Sequence, residues 1–170
     1  MKKRERYLIA MISFTVDDKK FNFRVGAIII DTKSNKVLLN TIEGFGFYLL
    51  PGGRVEWMEN STEAIKRELD EEIGLKNIDP KYIGTLENFF NFKGVNFHEI
   101  SNNFVIYLDE NNSIPRDDEF RGLEGDKHIY RWVSIEDIDK VKLQPSVLAK
   151  MIKNVGNEPK LYELQNNEEI

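Results

Sequence analysis

The segment GRVEWMENSTEAIKRELDEEIGL, residues 53–75, decides how the rest of the chain is interpreted. Its second half is typical of a helix in which Glu68, Glu71 and Glu72 share one face, because side chains three and four residues apart are neighbours on a helix. An apolar stripe lies beside that acidic face and consists of Ile65, Leu69 and Ile73. We therefore expect the helix to pack on a core through this stripe and to hold its carboxylates in a cleft.

The boundaries of this helix are visible in the sequence. Asn60, with Glu63 three residues later, or Ser61 beside it, is expected to cap the N-terminus. Gly74 is of the residue type that ends helices in the left-handed conformation. Before the helix, the Pro-Gly-Gly of residues 51–53 follows a short apolar run and predicts a tight turn that can approach a ligand closely. The pattern predicts a strand, a loop and a helix in succession.

The three glutamates require compensation, because like charges on one helix face repel each other. A divalent cation would remove this repulsion. The chain has no Cys and only 2 His, so the oxygen donors favour a hard cation, Mg²⁺ or Mn²⁺, over zinc. The alternative is a solvated charged face in which Arg67 and Glu71 form an ordinary surface ion pair.

The whole segment resembles the Nudix box, in which glycine, glutamate, arginine and aliphatic residues recur at set distances. The matching residues are Gly53, Glu59, Arg67, Glu68, Leu69, Glu71, Glu72, Gly74 and Leu75. This sequence matches the pattern at every defined position. A match of this length is far more specific than a lone glycine motif, and together with the preceding turn it outweighs the interpretation as a charged face.

The resemblance implies a hydrolase that depends on Mg²⁺ or Mn²⁺ and cleaves the phosphoanhydride bond of a nucleoside diphosphate linked to another group. It implies that Glu68, Glu71 and Glu72 are the principal metal ligands. The backbone carbonyl of Gly52 or Gly53 is implied as an additional ligand. The expected partner is therefore a small nucleotide.

Further residues follow from the same resemblance. Arg67 would orient the glutamates, and Glu59 would join the loop to the helix. Family members often bring one more carboxylate from outside the box, as ligand or base, and the candidates here are Glu124 and, as its rival, Glu99. The candidates for stacking on a base are Phe47, Phe89 and Phe92.

The chain in order alternates between strand and helix patterns. Strands are expected at residues 7–16, 21–30, 37–39 and 128–133, with a hairpin at 81–91 and 95–108, a polar loop at 111–126, a short helix capped by Ser134 and a last helix from Pro145 to Gly156. The resemblance implies an α/β/α sandwich with a mixed β-sheet between helices, in a single domain at 1–156. Residues 1–20 are expected to be an extension or edge strand, and 157–170 a polar, frayed tail.

Composition narrows the class of partner. The net charge of −5 and a pI of about 5.2 make nucleic acid an unlikely partner and disfavour the alternative of an RNA-end pyrophosphohydrolase. No membrane span is expected, so the cytoplasm is the default compartment, and a homodimer is left open.

The substrate within the family is reached by exclusion. Residues 90–93 carry neither the proline nor the tyrosine that mark some substrate classes of the family. This leaves a nucleoside triphosphate or a nucleotide sugar. The alternative from another class is a catalytically silent sensing module, which the intact set of box carboxylates disfavours.

Overall fold

One mixed β-sheet forms the centre of the molecule. The computed structural model describes residues 11–125 and 127–155, and the backbone alone of residues 160–169. Within them the strands are β1 (Ser13–Val16), β2 (Lys19–Asp31), β3 (Lys36–Ile42), β4 (Lys81–Phe92), β5 (Val95–Leu108), β6 (Glu119–Arg121), β7 (His128–Ser134) and β8 (Lys160–Glu169). The order across the sheet is β6-β7-β3-β2-β5-β4-β8, and β1 pairs with β2. The pairs β2–β5 and β4–β8 are parallel and the others are antiparallel.

Helices cover both faces of this sheet. They are α1 (Ser61–Ile73), α2 (Val147–Lys153) and a 3₁₀ helix (Ile135–Lys140). Alternate residues of β2 face opposite sides, as in any strand. One side joins an apolar cluster with α1, to which Ala27 and Leu69 belong. The other joins a cluster with α2, to which Ile28 and Ile152 belong. The expected α/β/α sandwich is therefore confirmed.

The loop between β3 and α1 takes the place of β3 beside part of β2. β2 pairs with β3 only near its carboxyl end. Earlier along β2, the N–H of Val25 donates to the carbonyl of Gly53 at 2.9 Å. On its other side the same loop exchanges two hydrogen bonds with β3, between Asn40 and Leu49 at 2.7 and 2.9 Å. The glycine turn thus lies between β2 and β3 in the sheet, where its residues can contact groups on both faces of the sheet.

The caps of α1 are those expected from the sequence. The side chain of Asn60 accepts from the N–H of Glu63 at 3.0 Å, and Glu63 Oε2 accepts from the N–H of Asn60 at 3.3 Å. Gly74 follows the last turn with φ of 69° and donates its N–H to the carbonyl of Asp70. Reciprocal capping satisfies N–H groups that a helix start would otherwise leave unpaired.

Several expected elements differ in the structure. The run before the glycine turn is not a strand, because Tyr48 and Leu49 form only isolated bridges, to Leu143 and Asn40. The polar loop at 111–126 contains β6, which pairs with β7. Backbone pairing at these places depends on distant segments, so local sequence does not reveal it.

The first strand, the last two helices and the C-terminal segment also differ from expectation. Of the first expected strand, residues 13–16 form β1 and residues 11 and 12 do not belong to it, while residues 7–10 lie outside the described residues. The helix after Ser134 is a 3₁₀ helix without a side-chain cap. α2 begins at Val147, two residues after Pro145, and its expected stop, Gly156, lies outside the described residues. The expectation of a frayed tail is wrong for β8, which pairs in parallel with β4.

Within the described residues, none of the helices combines the length and the apolar character needed to cross a membrane.

We expect Leu69→Ala to destabilise the fold by about 2–5 kcal/mol, because the side chain is fully buried and its loss leaves a cavity between α1 and the sheet. Urea unfolding followed by circular dichroism measures the change. Lys66→Ala, on the exposed side of the same helix, is the control and should change stability by about 0.5 kcal/mol or less. Similar losses in both variants would contradict the assignment of the buried face.

Candidate functional site

The glycine turn approaches its neighbours too closely for any side chain. A Cβ on Gly52, whose φ is 134°, would lie 2.3 Å from the carbonyl oxygen of Val25. A Cβ on Gly53 would lie 2.3 Å from the carboxyl group of Glu68. The turn therefore brings bare backbone against both β2 and the acidic face of α1. The carbonyl of Gly53 accepts from the N–H of Val25 at 2.9 Å, whereas the carbonyl of Gly52 has a longer contact, 3.5 Å, with Arg24 Nη2.

Two of the box glutamates are buried against this turn. Glu68 and Glu72 are 8% and 7% exposed. Glu72 Oε2 accepts from the N–H of Gly52 at 3.1 Å. Burial raises the pKa of Glu72 to about 7, against the effect of that hydrogen bond, and the charge of Glu68 adds to the rise. Burial also raises the pKa of Glu68, although the Arg67 guanidinium opposes the shift. The positive charge near Glu68 and Glu72 is therefore too small to offset the burial of their ionised forms.

Arg67 is the cation that organises the cluster. Its Nε and Nη2 bind both oxygens of Glu59 at 2.8 and 3.0 Å. Its Nη1 binds Glu68 at 2.9 Å and Glu71 at 3.1 Å, and Nη2 also donates to the carbonyl of Arg54 at 3.1 Å. The hydrogen bond to Glu59 is the largest of the effects that raise the pKa of Arg67. The structure thus brings Arg67 into contact with three of the four glutamates that the resemblance named with it, whereas Glu72 binds the glycine turn instead.

Glu59 connects the loop to this cluster. Its Oε2 also accepts from the N–H of Glu56 at 3.1 Å. Burial raises the pKa of Glu59, but the hydrogen bonds from Arg67 and Glu56 outweigh it, and the pKa lies below its usual value. An ionised carboxylate here fixes the guanidinium in one orientation.

The donor atoms suit Mg²⁺ or Mn²⁺. They are all oxygens, and the two buried carboxylates gain from a nearby cation. In the part of the chain that is described, no three His, Cys, Asp or Glu side chains converge closely enough to surround an ion. Glu71 and one oxygen of Glu68 are turned to Arg67. The residues fit such a cation by their chemistry, without a closed coordination shell in this conformation.

Tyr130 borders the site and was missed by sequence reasoning. It is fully buried and packs beside Glu72, and burial together with the charge of Glu72 raises the pKa of Tyr130. Its hydroxyl has no hydrogen-bond partner of good geometry among the described residues. The alternation of β7 indicated an inward side chain here, but nothing in the sequence indicated which carboxylate it would face.

Of the two further carboxylates, Glu124 lies beside the box. The N–H of Leu123 donates to the carbonyl of Glu72 at 2.7 Å, which docks this loop on the end of α1. The charge of Glu124 contributes to the raised pKa of Glu68. Glu99 instead lies in β5, where its oxygens are 3.3 Å from Asn22 Nδ2 and 3.9 Å from Arg24 Nη1.

Glu99 forms part of a cleft of about 290 Å³ over the face of the sheet that also carries α2. Its aromatic wall consists of Phe45, Phe47, Phe90, Phe92 and Phe97. Phe89 does not line the cleft, because it lies on the opposite face, stacked on His98 at 4.4 Å. Of the three residues expected to stack on a base, Phe47 and Phe92 therefore line the cleft and Phe89 does not.

Two arginines connect this cleft with the box. Arg24 lines the cleft, and its Nη2 lies 3.5 Å from the carbonyl of Gly52. Its charge also lowers the pKa of Glu72, though less than burial raises it. Arg54 lines the cleft as well, and its carbonyl accepts from Arg67. The aromatic wall and the acidic cluster are thus linked through these two arginines.

Comparison with known proteins agrees with this architecture. The family model described as NUDIX domain matches residues 20–155 of this chain. An 8-oxo-dGTP diphosphatase of Buchnera aphidicola is 34% identical over 76 residues, which are 42% of this chain and 56% of that relative. The chain therefore spans little more than half of the relative's length.

Two solved structures share the fold. One is the mutator MutT protein of Bacillus halodurans, with a TM-score of 0.65 and 18% identity over 86% of this chain and 90% of that one. The other is the dihydroneopterin triphosphate pyrophosphohydrolase of E. coli, with a TM-score of 0.56 and 15% identity over 78% and 93%. At these identities the likeness shows the fold alone.

Glu72→Gln is expected to change how stability depends on pH. The folded protein holds the Glu72 proton up to a pKa of about 7, whereas the unfolded chain releases it near the ordinary pKa of a glutamate, 4.5. Ionisation therefore favours the unfolded state as pH rises between these values. The free energy of unfolding of the wild type falls by about 1–3 kcal/mol over this range, whereas that of the variant does not.

The measurement is urea unfolding of both proteins in chelator at several pH values. The difference in their free energies of unfolding should shift in favour of the variant with rising pH and then level off above the folded pKa. A constant difference across the range would contradict the buried, proton-holding state of Glu72.

Proposed function

The chain belongs to the Nudix family, and we propose that it is a metal-dependent hydrolase that cleaves a phosphoanhydride bond in a nucleoside diphosphate linked to another group. A nucleoside triphosphate is the first candidate substrate and a nucleotide sugar the second. The observation that carries the proposal is that Arg24 and Arg54, which line the aromatic cleft, also contact the glycine turn and Arg67 of the box. The similarity to a relative named as an 8-oxo-dGTP diphosphatase supports the triphosphate.

The cation belongs at the acidic face of α1 in this proposal. Glu68, Glu71 and Glu72 would hold it, with the carbonyl of Gly52 as a further oxygen donor. When bound, Mg²⁺ or Mn²⁺ supplies charge neutralisation for the diphosphate and a more acidic water. Arg67 keeps the carboxylates oriented, since one guanidinium spans Glu68 and Glu71.

The remaining residues bind and orient the substrate. Phe47 and Phe92, with ring centroids 6.5 Å apart, provide a surface for a base. Arg24 lies between that surface and Glu72, where a guanidinium can hold a phosphate oxygen by charge-assisted hydrogen bonds. In this proposal Glu124, whose charge acts on Glu68, takes a proton from the attacking water. Water attacks one phosphorus, and the other phosphate leaves.

The direct test is a panel of nucleoside triphosphates, nucleotide sugars, ADP-ribose and dinucleoside polyphosphates, assayed for product release with Mg²⁺, with Mn²⁺ and with chelator. Cleavage of one class that requires the metal supports the proposal and identifies the substrate class. Metal binding without cleavage of any compound would favour the sensing module.

Glu71→Gln should lower kcat by about 100-fold or more, because a lost ligand removes several kcal/mol of transition-state stabilisation. It should also weaken stabilisation by Mg²⁺, which in the wild type reaches about 2.7 kcal/mol at a concentration 100 times the Kd. Both are measured, by kinetics and by thermal unfolding. Asp70→Asn is the control, since the side chain of Asp70 is 46% exposed on the same helix and pairs with Lys76 at 3.3 Å. Wild-type turnover in Glu71→Gln would refute the metal site.

Glu124→Gln should lower kcat by about 100-fold or more with little change in KM, because general bases contribute about 10²–10⁴-fold. Added Mg²⁺ should not restore the rate if Glu124 is the base. Glu119→Gln, exposed in β6 on the same segment, should retain the wild-type rate. Recovery of the Glu124→Gln rate at high Mg²⁺ would instead make Glu124 a metal ligand.

A further inference from the structure

A row of three polar side chains crosses the floor of the cleft. β2, β5 and β4 are neighbours in the sheet, and their register aligns Asn22 with Glu99 and Glu99 with Asn88. The three are 4%, 8% and 3% exposed, so all are more than nine-tenths buried. With strands about 4.8 Å apart, the row is about 10 Å long, which is comparable with the length of a fused two-ring heterocycle.

The hydrogen bonds within this row are incomplete. Ser13 Oγ donates to Asn22 Oδ1 at 2.8 Å, which fixes the amide so that Nδ2 faces Glu99 Oε2 at 3.3 Å. Among the side chains that the structure describes, Asn88 Oδ1 has no hydrogen-bond partner, and neither does Oε1 of Gln144, which also lines the cleft and is 8% exposed. Buried acceptors without donors are unfavourable, so this floor is complete only when a ligand brings N–H groups.

The aromatic wall provides the complementary surface for the faces of a ring. Phe45 and Phe92 lie 5.9 Å apart between centroids, and Lys93 stands over both rings at 5.7 and 5.1 Å. A flat heterocycle that stacks on this wall turns one edge to the polar row. The wall accepts any base, because every base has a π-face. Selectivity therefore depends on the edge.

A carboxylate can only accept hydrogen bonds, through two adjacent oxygens. It pairs best with two adjacent donors. Adenine and cytosine place an acceptor nitrogen beside the amino group, and uracil places carbonyls on both sides of its N–H. Hypoxanthine has the ring N–H but no amino group. Guanine and the pterins combine a ring N–H with a neighbouring exocyclic amino group, so both oxygens of a carboxylate gain a donor.

We propose that Glu99 is a specificity-determining residue that reads the adjacent ring N–H and amino group shared by guanine and pterin substrates. The proposal rests on the proposed function of the same site and adds the class of heterocycle. Arg24, 3.9 Å from Glu99, balances the carboxylate charge on the side of the phosphates. Asn88 and Gln144 supply further acceptors beside it.

The first test compares GTP, ITP and ATP as substrates of the wild type with Mg²⁺. We expect kcat/KM for GTP to exceed that for ITP by about 10- to 100-fold, because ITP lacks only the amino group that meets the carboxylate. ATP should be poorer than GTP by at least as much. Equal values for GTP and ITP would overturn the proposal. Dihydroneopterin triphosphate, assayed in parallel, distinguishes a pterin from a purine as the preferred source.

The second test uses Glu99→Gln, which keeps the shape and one acceptor oxygen. It should reduce the preference for GTP over ITP to within about threefold, mainly through a higher KM for GTP. The control is Glu87→Gln, since Glu87 binds His98 at 2.8 Å on the opposite face of the sheet and should keep the wild-type preference. An unchanged preference in Glu99→Gln would overturn the proposal.

Binding without turnover separates this proposal from the proposed function. Calorimetry with GMP and IMP should show tighter binding of GMP by the wild type and nearly equal binding by Glu99→Gln. If no nucleotide is hydrolysed but this difference appears, the proposed hydrolysis fails and the role of Glu99 stands. If nucleotides are hydrolysed but GMP and IMP bind alike, the role of Glu99 fails and the hydrolase stands.

Discussion

The burial of two carboxylates against bare backbone is the constraint on which this site depends. Glu68 lies against the turn where Gly53 has no side chain, and Gly52 has no side chain where the turn meets β2. Both carboxylates have raised pKa values, so their position is unfavourable when they are ionised. The ionised carboxylates would therefore be stabilised by more positive charge than Arg67 provides. In the proposed function, a divalent cation would supply the missing positive charge.

The wedge of the glycine turn into the sheet explains how the two ends of the site meet. Along Val25 the turn replaces β3 as the hydrogen-bonding partner of β2. At this point α1 approaches from one face, and the cleft opens on the other. Arg24, next to Val25 in β2, points to the cleft and still reaches the carbonyl of Gly52. A sheet paired continuously here would keep the acidic cluster and the aromatic wall apart.

The cleft differs from the acidic cluster in what its residues share. The glutamates of α1 come from consecutive turns of one helix, and their geometry is local. The floor and wall of the cleft come from β2, β4, β5 and the loop after β3. Its polar row exists only because three strands align in one register, and a shift by one residue would turn each side chain to the opposite face. In the proposed function, recognition of the base would thus depend on the sheet, whereas metal binding would depend on the helix.

The sequence by itself determined the helix, its caps and its acidic face, because Asn60, Gly74 and the glutamates act within a few residues of one another. It also indicated the sandwich, since helical and strand periodicities are local. Only the tertiary structure decided that Phe89 lies away from Phe47 and Phe92, that Glu124 rather than Glu99 borders the box, and that Tyr130 packs on Glu72. These facts depend on which distant strands pair and in which register, and local sequence does not encode that information in a readable form.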